Sequence, residues 1–236
     1  MADSNSYSLS VRRFSSVKSL GEDAVRNSGC QPPLWLDIVA PPKCAVCGLV
    51  GASLCSNCLA ELNPQWYQEG DVWYLGPYSP VWRQLVGAWK FGGQIDAPRK
   101  LLQQFGVPPI INADSLLVPA PQSRWRFAIR GYNQARLLAG WLSEQSGARV
   151  LELLSEPWRR SQTHLASSRL DRVERRRLSV DRRLLRRVSG RSIVLVDDVL
   201  TTGQTLLVMR RVLEKEGLMV AGAIVLSRSH LRRVLA

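Results

Sequence analysis

Two adjacent carboxylates, Asp197 and Asp198, stand just ahead of Thr201, Thr202, Gly203, Gln204 and Thr205. Of all the residues in this chain, these are the best equipped for chemistry. A pair of acids accepts hydrogen bonds from a sugar diol, directly or through Mg²⁺ and its waters. Threonine hydroxyls at a turn add donors, and a glycine lets backbone approach an anion with no Cβ in the way. Charge-assisted hydrogen bonds to phosphate contribute about 1.5–3 kcal/mol each, so a few of them hold a phosphorylated sugar. The acids would take the hydroxyls and the turn would take the phosphate.

Such groups need a frame. Ile193, Val194, Leu195 and Val196 are apolar and mostly β-branched, and they predict a buried strand of parallel-sheet type with both acids at its carboxyl end. Thr201 to Thr205 then opens a helix. Open α/β sheets bind ligands just outside the carboxyl ends of their strands. A helix amino terminus presents unpaired N–H groups and the positive end of its dipole. Two other readings of the acids stand beside this one. A P-loop ATPase carries metal-binding acids after a strand, but it needs GxxxxGK[ST] upstream, which this sequence lacks. The acids could also simply cap the next helix.

The rest of the chain alternates strands and helices. Val72–Tyr78 predicts a strand, Val81–Lys90 a helix, and Ser115–Val118 a short strand ending in the rigid Pro119-Ala120-Pro121. Arg124, Arg126 and Arg130 follow. A helix with Leu137, Leu138, Trp141 and Leu142 on one face then stops near Gly147. Arg149–Leu154 predicts a strand. Leu206–Glu216 predicts a helix with Leu206, Met209 and Leu213 inward, and Val220–Leu226 a strand closing the sheet. The fold class is therefore α/β, a parallel sheet flanked by helices with right-handed crossovers.

Four cysteines form Cys44-x-x-Cys47 and Cys55-x-x-Cys58. Paired knuckles of this kind place four thiolates around one Zn²⁺. A disulfide pairing needs an oxidising compartment, and a redox Cys-x-x-Cys would not come twice. Cys30 stands outside the set as a spare thiol. The knuckle either contacts nucleic acid or staples a segment too short for a core of its own.

The 236 residues divide into three expected parts: a disordered tail over 1–32, a zinc-ribbon-like four-cysteine module over 33–65 and a catalytic-type domain over 66–236. No apolar run reaches membrane-spanning length and no secretory leader is evident, so the expected location is cytoplasmic. The net charge of +13 and a pI near 10.3 suit a polyanionic partner. Arginine is concentrated between Arg159 and Arg191, just ahead of the phosphate strand, where several side chains would face an anion. Most of the eight tryptophans are expected in the core, while Trp125, among arginines, could stack on a base.

In the order they occur, these features resemble the ComF family of competence-related phosphoribosyltransferase-like proteins, which includes GntX-type DNA-utilization proteins. The features are the paired knuckles, Lys90-Phe91-Gly92-Gly93, Val118-Pro119-Ala120-Pro121, Arg130-Gly131-Tyr132-Asn133-Gln134-Ala135, Gln162-Thr163 and Asp197–Leu206. The resemblance covers roughly Pro41 to the C-terminus. It implies a type I phosphoribosyltransferase fold behind a structural Zn²⁺ module. It also implies phosphoribosyl pyrophosphate (PRPP) with Mg²⁺ as ligand. Asp197 and Asp198 would be the catalytic acids on the ribose hydroxyls, and Thr201, Thr202, Gly203, Gln204 and Thr205 would hold the 5-phosphate. The loop of Pro119, Ala120, Pro121 and Gln122 would face pyrophosphate, which Lys90 and Arg130 would neutralise. Gln162–Arg177 would form a lid. The chain departs from the family at Ala120, where valine is usual, at Leu178, where asparagine is common, and at Gln204, where a small residue is usual. Two functions follow from the resemblance: phosphoribosyl transfer, or a non-catalytic DNA-uptake accessory that binds single-stranded DNA or a helicase partner. Neither His164 nor His230 is assigned a catalytic role.

Overall fold

The computed structural model describes residues 12–13, 41–156, 178–188 and 190–229. In chain order the strands are β1 (Arg12–Arg13), β2 (Tyr67–Glu69), β3 (Val72–Pro77), β4 (Leu116–Pro119), β5 (Arg149–Val150), β6 (Leu154–Ser155), β7 (Ser179–Val180), β8 (Ile193–Leu200) and β9 (Val220–Arg228). Seven of them form one sheet in the order β1-β2-β3-β9-β8-β4-β5. The β1-β2-β3 edge is antiparallel, and every pairing from β3 to β5 is parallel. Strands β6 and β7 make a separate antiparallel ribbon.

The helices are α1 (Ser56–Leu62), α2 (Pro80–Phe91), α3 (Asp96–Phe105), α4 (Arg124–Arg130), α5 (Gln134–Ser146) and α6 (Gln204–Lys215), with a 3₁₀ turn at Arg182–Arg187. Local chemistry explains their limits. Ser79 caps α2 by accepting from the Trp82 N–H, and Pro80 sits in the first turn, where a missing N–H costs nothing. Asn133 caps α5, which ends at Gly147 with φ 73°. Helix α2 buries Trp82, Leu85, Val86 and Trp89, one stripe at helical spacing.

Alternation along the strands splits the core between the two faces of the sheet. Val194 and Val196 of β8, with Ile224 and Leu226 of β9, pack on the face covered by α2, α3 and α5. Ile193 and Leu195, with Ala223 and Val225, pack against Leu206, Met209 and Leu213 of α6 on the other. Each fully buried Val, Leu or Ile contributes roughly 1.5–3 kcal/mol. Ala45 and Leu62 from the Cys-rich segment join the first cluster, and the Trp82 indole N–H donates to the Leu62 carbonyl at 3.0 Å.

The structure corrects several sequence expectations. Strand β8 does not stop at Val196 but runs to Leu200, so both acids lie inside it, because β9 keeps pairing as far as Leu200↔Arg228. Strand β9 does not close an edge; it lies between β3 and β8. The stretch Arg149–Leu154 divides between two sheets as β5 and β6. Arg124–Arg130 is helical, and α3 follows α2 directly. Trp66, Trp73, Trp82, Trp89 and Trp141 are buried as expected, and Trp125 is 74% exposed. Among the described residues no helix is long and apolar enough to cross a membrane. Gln162–Arg177, Cys30, Trp35, Trp158, His164 and His230 lie outside the described residues, as do residues 1–32 apart from Arg12–Arg13.

Candidate functional site

Helix α5 leaves β4 toward β5 on one side, and α6 leaves β8 toward β9 on the other. Between β4 and β8 the crossovers therefore diverge, which is where an α/β sheet opens a crevice at its carboxyl edge. Pairing of β4 with β8 ends at Pro119↔Val196, and the Ala120 N–H donates to the Val196 carbonyl at 2.8 Å. Beyond that point β8 keeps, among the described residues, only β9 as a strand partner, and Asp197 and Asp198 are the first residues past the split.

Both acids are partly buried and locally ordered. The Asp198 N–H donates to Asp197 Oδ1 at 2.8 Å, and the Val199 N–H donates to Asp198 Oδ1 at 2.6 Å. Asp198 Oδ2 pairs with Lys90 Nζ at 2.8 Å, with the two side chains 16% and 20% exposed respectively. Thr201 and Thr202 are exposed, and Gly203 occupies the N-cap of α6 with φ 75°, a left-handed conformation that favours glycine. No side chain caps α6, and Gln204 and Thr205 form its first turn. The five residues from Thr201 to Thr205 thus make the turn and helix start expected to hold a phosphate.

The facing wall is built from α2 and from the Arg130–Gln134 segment. Asn133 Nδ2 donates to the Ala120 carbonyl at 3.0 Å, fixing the Pro119-Ala120-Pro121 loop. The Tyr132 hydroxyl donates to the Trp89 carbonyl, beside Lys90. Burial raises the Tyr132 phenol above its ordinary range, against a lowering pull from Arg130. The Arg130 guanidinium lies 5.1 Å from the Phe91 ring centre and donates to Gln134 Oε1 at 3.1 Å. Gln134 is 2% exposed, and among the described residues its Nε2 finds no partner; both side-chain amide atoms of Gln122 are buried and likewise without a partner among the described residues.

Spacing and composition assign no individual role to Tyr132, Asn133, Gln122 or Gln134. An asparagine directly before an apolar helix pattern is a readable cap signal; the reach of Asn133 to Ala120 is not readable. The described part of the arginine run departs from its expected placement, and residues 159–177 lie outside the described residues. Arg182, Arg183, Arg186 and Arg187 belong to the 3₁₀ turn that precedes β8, and Arg182 pairs with Glu216 at 3.1 Å just past the carboxyl end of α6. Since α6 starts at the crevice, Glu216 lies at the opposite edge of the sheet, and so does Arg182.

Cys44, Cys47, Cys55 and Cys58 converge, with all four Sγ atoms within 4.8 Å of one another. Cys47 Sγ and Cys55 Sγ are 3.8 Å apart. A tetrahedral Zn²⁺ with bonds of about 2.3 Å requires edges of ~3.8 Å, so the set fits one ion. Burial raises the Cys44 thiol, but N–H groups of Cys47, Cys55 and Val46, with the Cys47 side chain, bring it down to about 6. Burial, followed by the three neighbouring thiols, pushes Cys58 up. Four crowded sulfurs of this kind call for a soft divalent cation.

Residues 139–234 match the phosphoribosyl transferase domain family, a span that takes in β8, both acids, the threonine turn, α6 and β9. The chain is also similar to Competence protein F of Haemophilus influenzae, 29% identical over 201 residues that cover 80% of this chain and 84% of that protein.

Proposed function

We propose that the chain is a ComF-like protein of the phosphoribosyltransferase type and that it binds PRPP with Mg²⁺ in the crevice between β4 and β8; the matched phosphoribosyl transferase domain and the similarity to Competence protein F support the reading. One observation carries the proposal. Two carboxylates and a glycine–threonine turn at a helix start sit at the switch point of the sheet, opposite Lys90 and the proline loop. Asp197 and Asp198 accept from the ribose hydroxyls, and Thr201–Thr205 cradle the 5-phosphate. Pro119–Pro121 borders the pyrophosphate, with Lys90 and Arg130 as its counter-charges.

Phosphoribosyl transfer is the chemistry this arrangement serves. A nitrogen nucleophile would form a bond to the anomeric carbon as the bond from that carbon to pyrophosphate breaks; pyrophosphate would leave with the electron pair and the nucleophile's proton would pass to solvent, while Mg²⁺, when bound, would supply counter-charge to the leaving group. Positive charge grows on the sugar and negative charge on the leaving oxygen. Fixed charges on opposite sides stabilise both, and no covalent protein nucleophile is needed. Calorimetric titration with Mg²⁺-PRPP tests the binding, and pyrophosphate release across a panel of bases tests the transfer. Absence of heat on titration would falsify the assignment of the crevice.

A specific observation favours a second role. Helix α4 buries none of its residues: Trp125 is 74%, Phe127 52% and Ile129 59% exposed, interleaved with Arg124, Arg126 and Arg130. Aromatic faces for bases among guanidiniums for phosphates suit single-stranded DNA. A cytoplasmic protein related to a competence protein would use it in DNA handling, with a helicase as a further partner. Binding measured over a salt series tests this. Replacing one arginine that neutralises a phosphate should flatten the salt slope by about 0.7.

A further inference from the structure

We propose that Tyr132 and Asn133 are positioning residues, a clasp that sets the distance between Lys90 and the Pro119–Pro121 loop; the inference rests on the sugar-phosphate reading of the crevice. The two side chains are consecutive in sequence, yet they donate to carbonyls on different walls. Tyr132 holds Trp89 in the last turn of α2, and Asn133 holds Ala120 after β4, at 3.0 Å. Both acceptors are backbone atoms, so each bond fixes main chain and does not depend on the side chain it meets. One peptide unit joins the two donors and limits how far the walls can separate.

The segment is itself anchored at both ends. Gly131 closes α4 with φ 76°, its N–H reaching the Phe127 carbonyl at 2.7 Å. Asn133 Oδ1 accepts from the Arg136 N–H at 3.3 Å, capping α5, whose Leu138 and Leu142 are fully buried. Lys90 is bracketed as well. Tyr132 holds the residue before it, and Arg130 lies over the ring of Phe91, the residue after it. Phe91 is 75% exposed, so burial does not hold it, and the stacked guanidinium restrains it. The phenol stays a protonated donor through the neutral range, since burial raises its pKa. Asn133 therefore has two separable tasks, a cap through oxygen and a loop anchor through nitrogen.

Two conservative variants separate them. Tyr132→Phe deletes only the hydroxyl. Asn133→Ser keeps a good capping oxygen but is too short to reach Ala120. In full-length, ligand-free protein, hydrogen exchange should rise over residues 89–94 in Tyr132→Phe and over 119–123 in Asn133→Ser, while α5 amides stay unchanged. With Mg²⁺-pyrophosphate as probe, each variant should lose about tenfold in affinity, with ribose 5-phosphate affinity unchanged. Unchanged exchange in both segments overturns the clasp, and so does equal weakening of the two probes, which would mark a general structural role. If the wild-type protein binds neither probe, the sugar-phosphate reading fails, and the exchange result alone decides whether the clasp exists.

Discussion

Lys90 and Asp198 are joined across the crevice at 2.8 Å, one from the last turn of α2 and the other from β8. The contact ties the end of α2 to the acid-bearing strand. It also gives Asp198 a fixed cation before any ligand arrives. Because both side chains remain partly exposed, the pair should couple by about 1 kcal/mol. A double-mutant cycle with Lys90→Met and Asp198→Asn, followed by denaturant unfolding, measures it. Strict additivity of the two changes would show that the contact carries no energy.

Neutralising both acids, by Asp197→Asn together with Asp198→Asn, should leave the fold intact. An amide oxygen at each position can still accept from the N–H groups of residues 198 and 199, which bond to the carboxylates now. Affinity for Mg²⁺-PRPP should fall at least about tenfold, the equivalent of one charge-assisted bond or more. Calorimetry on a variant with an unchanged melting temperature checks it, and equal affinity would remove the pair from the site.

Freshly purified protein should contain about one Zn²⁺ per chain. Chelation should lower the melting temperature and shift tryptophan fluorescence, because Trp82 donates to Leu62 at the end of α1. Cys58→Ser, which removes a buried ligand, should reproduce both changes without chelator. A metal-free preparation with the same melting temperature would count against zinc as a staple.

Two glycines in regular structure should answer to alanine with opposite signs. A Cβ on Gly222 would stand 2.4 Å from the Asp71 carbonyl, which is held by the Ala223 N–H at 2.9 Å and cannot easily retreat. Gly222→Ala should cost about 1–3 kcal/mol. Gly140 lies within α5 with nothing within 4 Å of the new methyl, so Gly140→Ala should stabilise by about 0.5–1 kcal/mol. Urea midpoints compare them directly.

Where a residue's neighbours in sequence decide its state, the structure can be read in advance. The apolar stripes of α2 and α6 and the buried start of β8 belong to that class. The threonine turn also falls where the pattern puts it. Elements set by distant partners are hidden. Asp197 and Asp198 look like the end of a strand by propensity, and only continued pairing with β9 keeps them extended. Helix α4 has no buried face, so no apolar period announces it. In α3, Pro98 resembles a breaker, yet it sits in the first turn, where proline is tolerated. The Lys90–Asp198 contact and the tie from Asn133 to Ala120 join elements far apart in the chain or on different walls, beyond the reach of spacing rules. Arg182, Arg183, Arg186 and Arg187 precede β8 in sequence, but a strand's beginning and its end lie at opposite edges of the sheet.

The interior position of β9 constrains the order in which the protein can be made. Its neighbours β3 and β8 are translated before it, and neither can pair with the other, because β9 must lie between them. A nascent chain that has not yet emerged past Arg228 therefore exposes two strand edges and the apolar residues of both layers. Such exposure invites aggregation until the gap is filled. Ribosome-stalled products that lack β9 should depend on chaperones, and the acids on β8 acquire their fixed geometry only once β9 has paired.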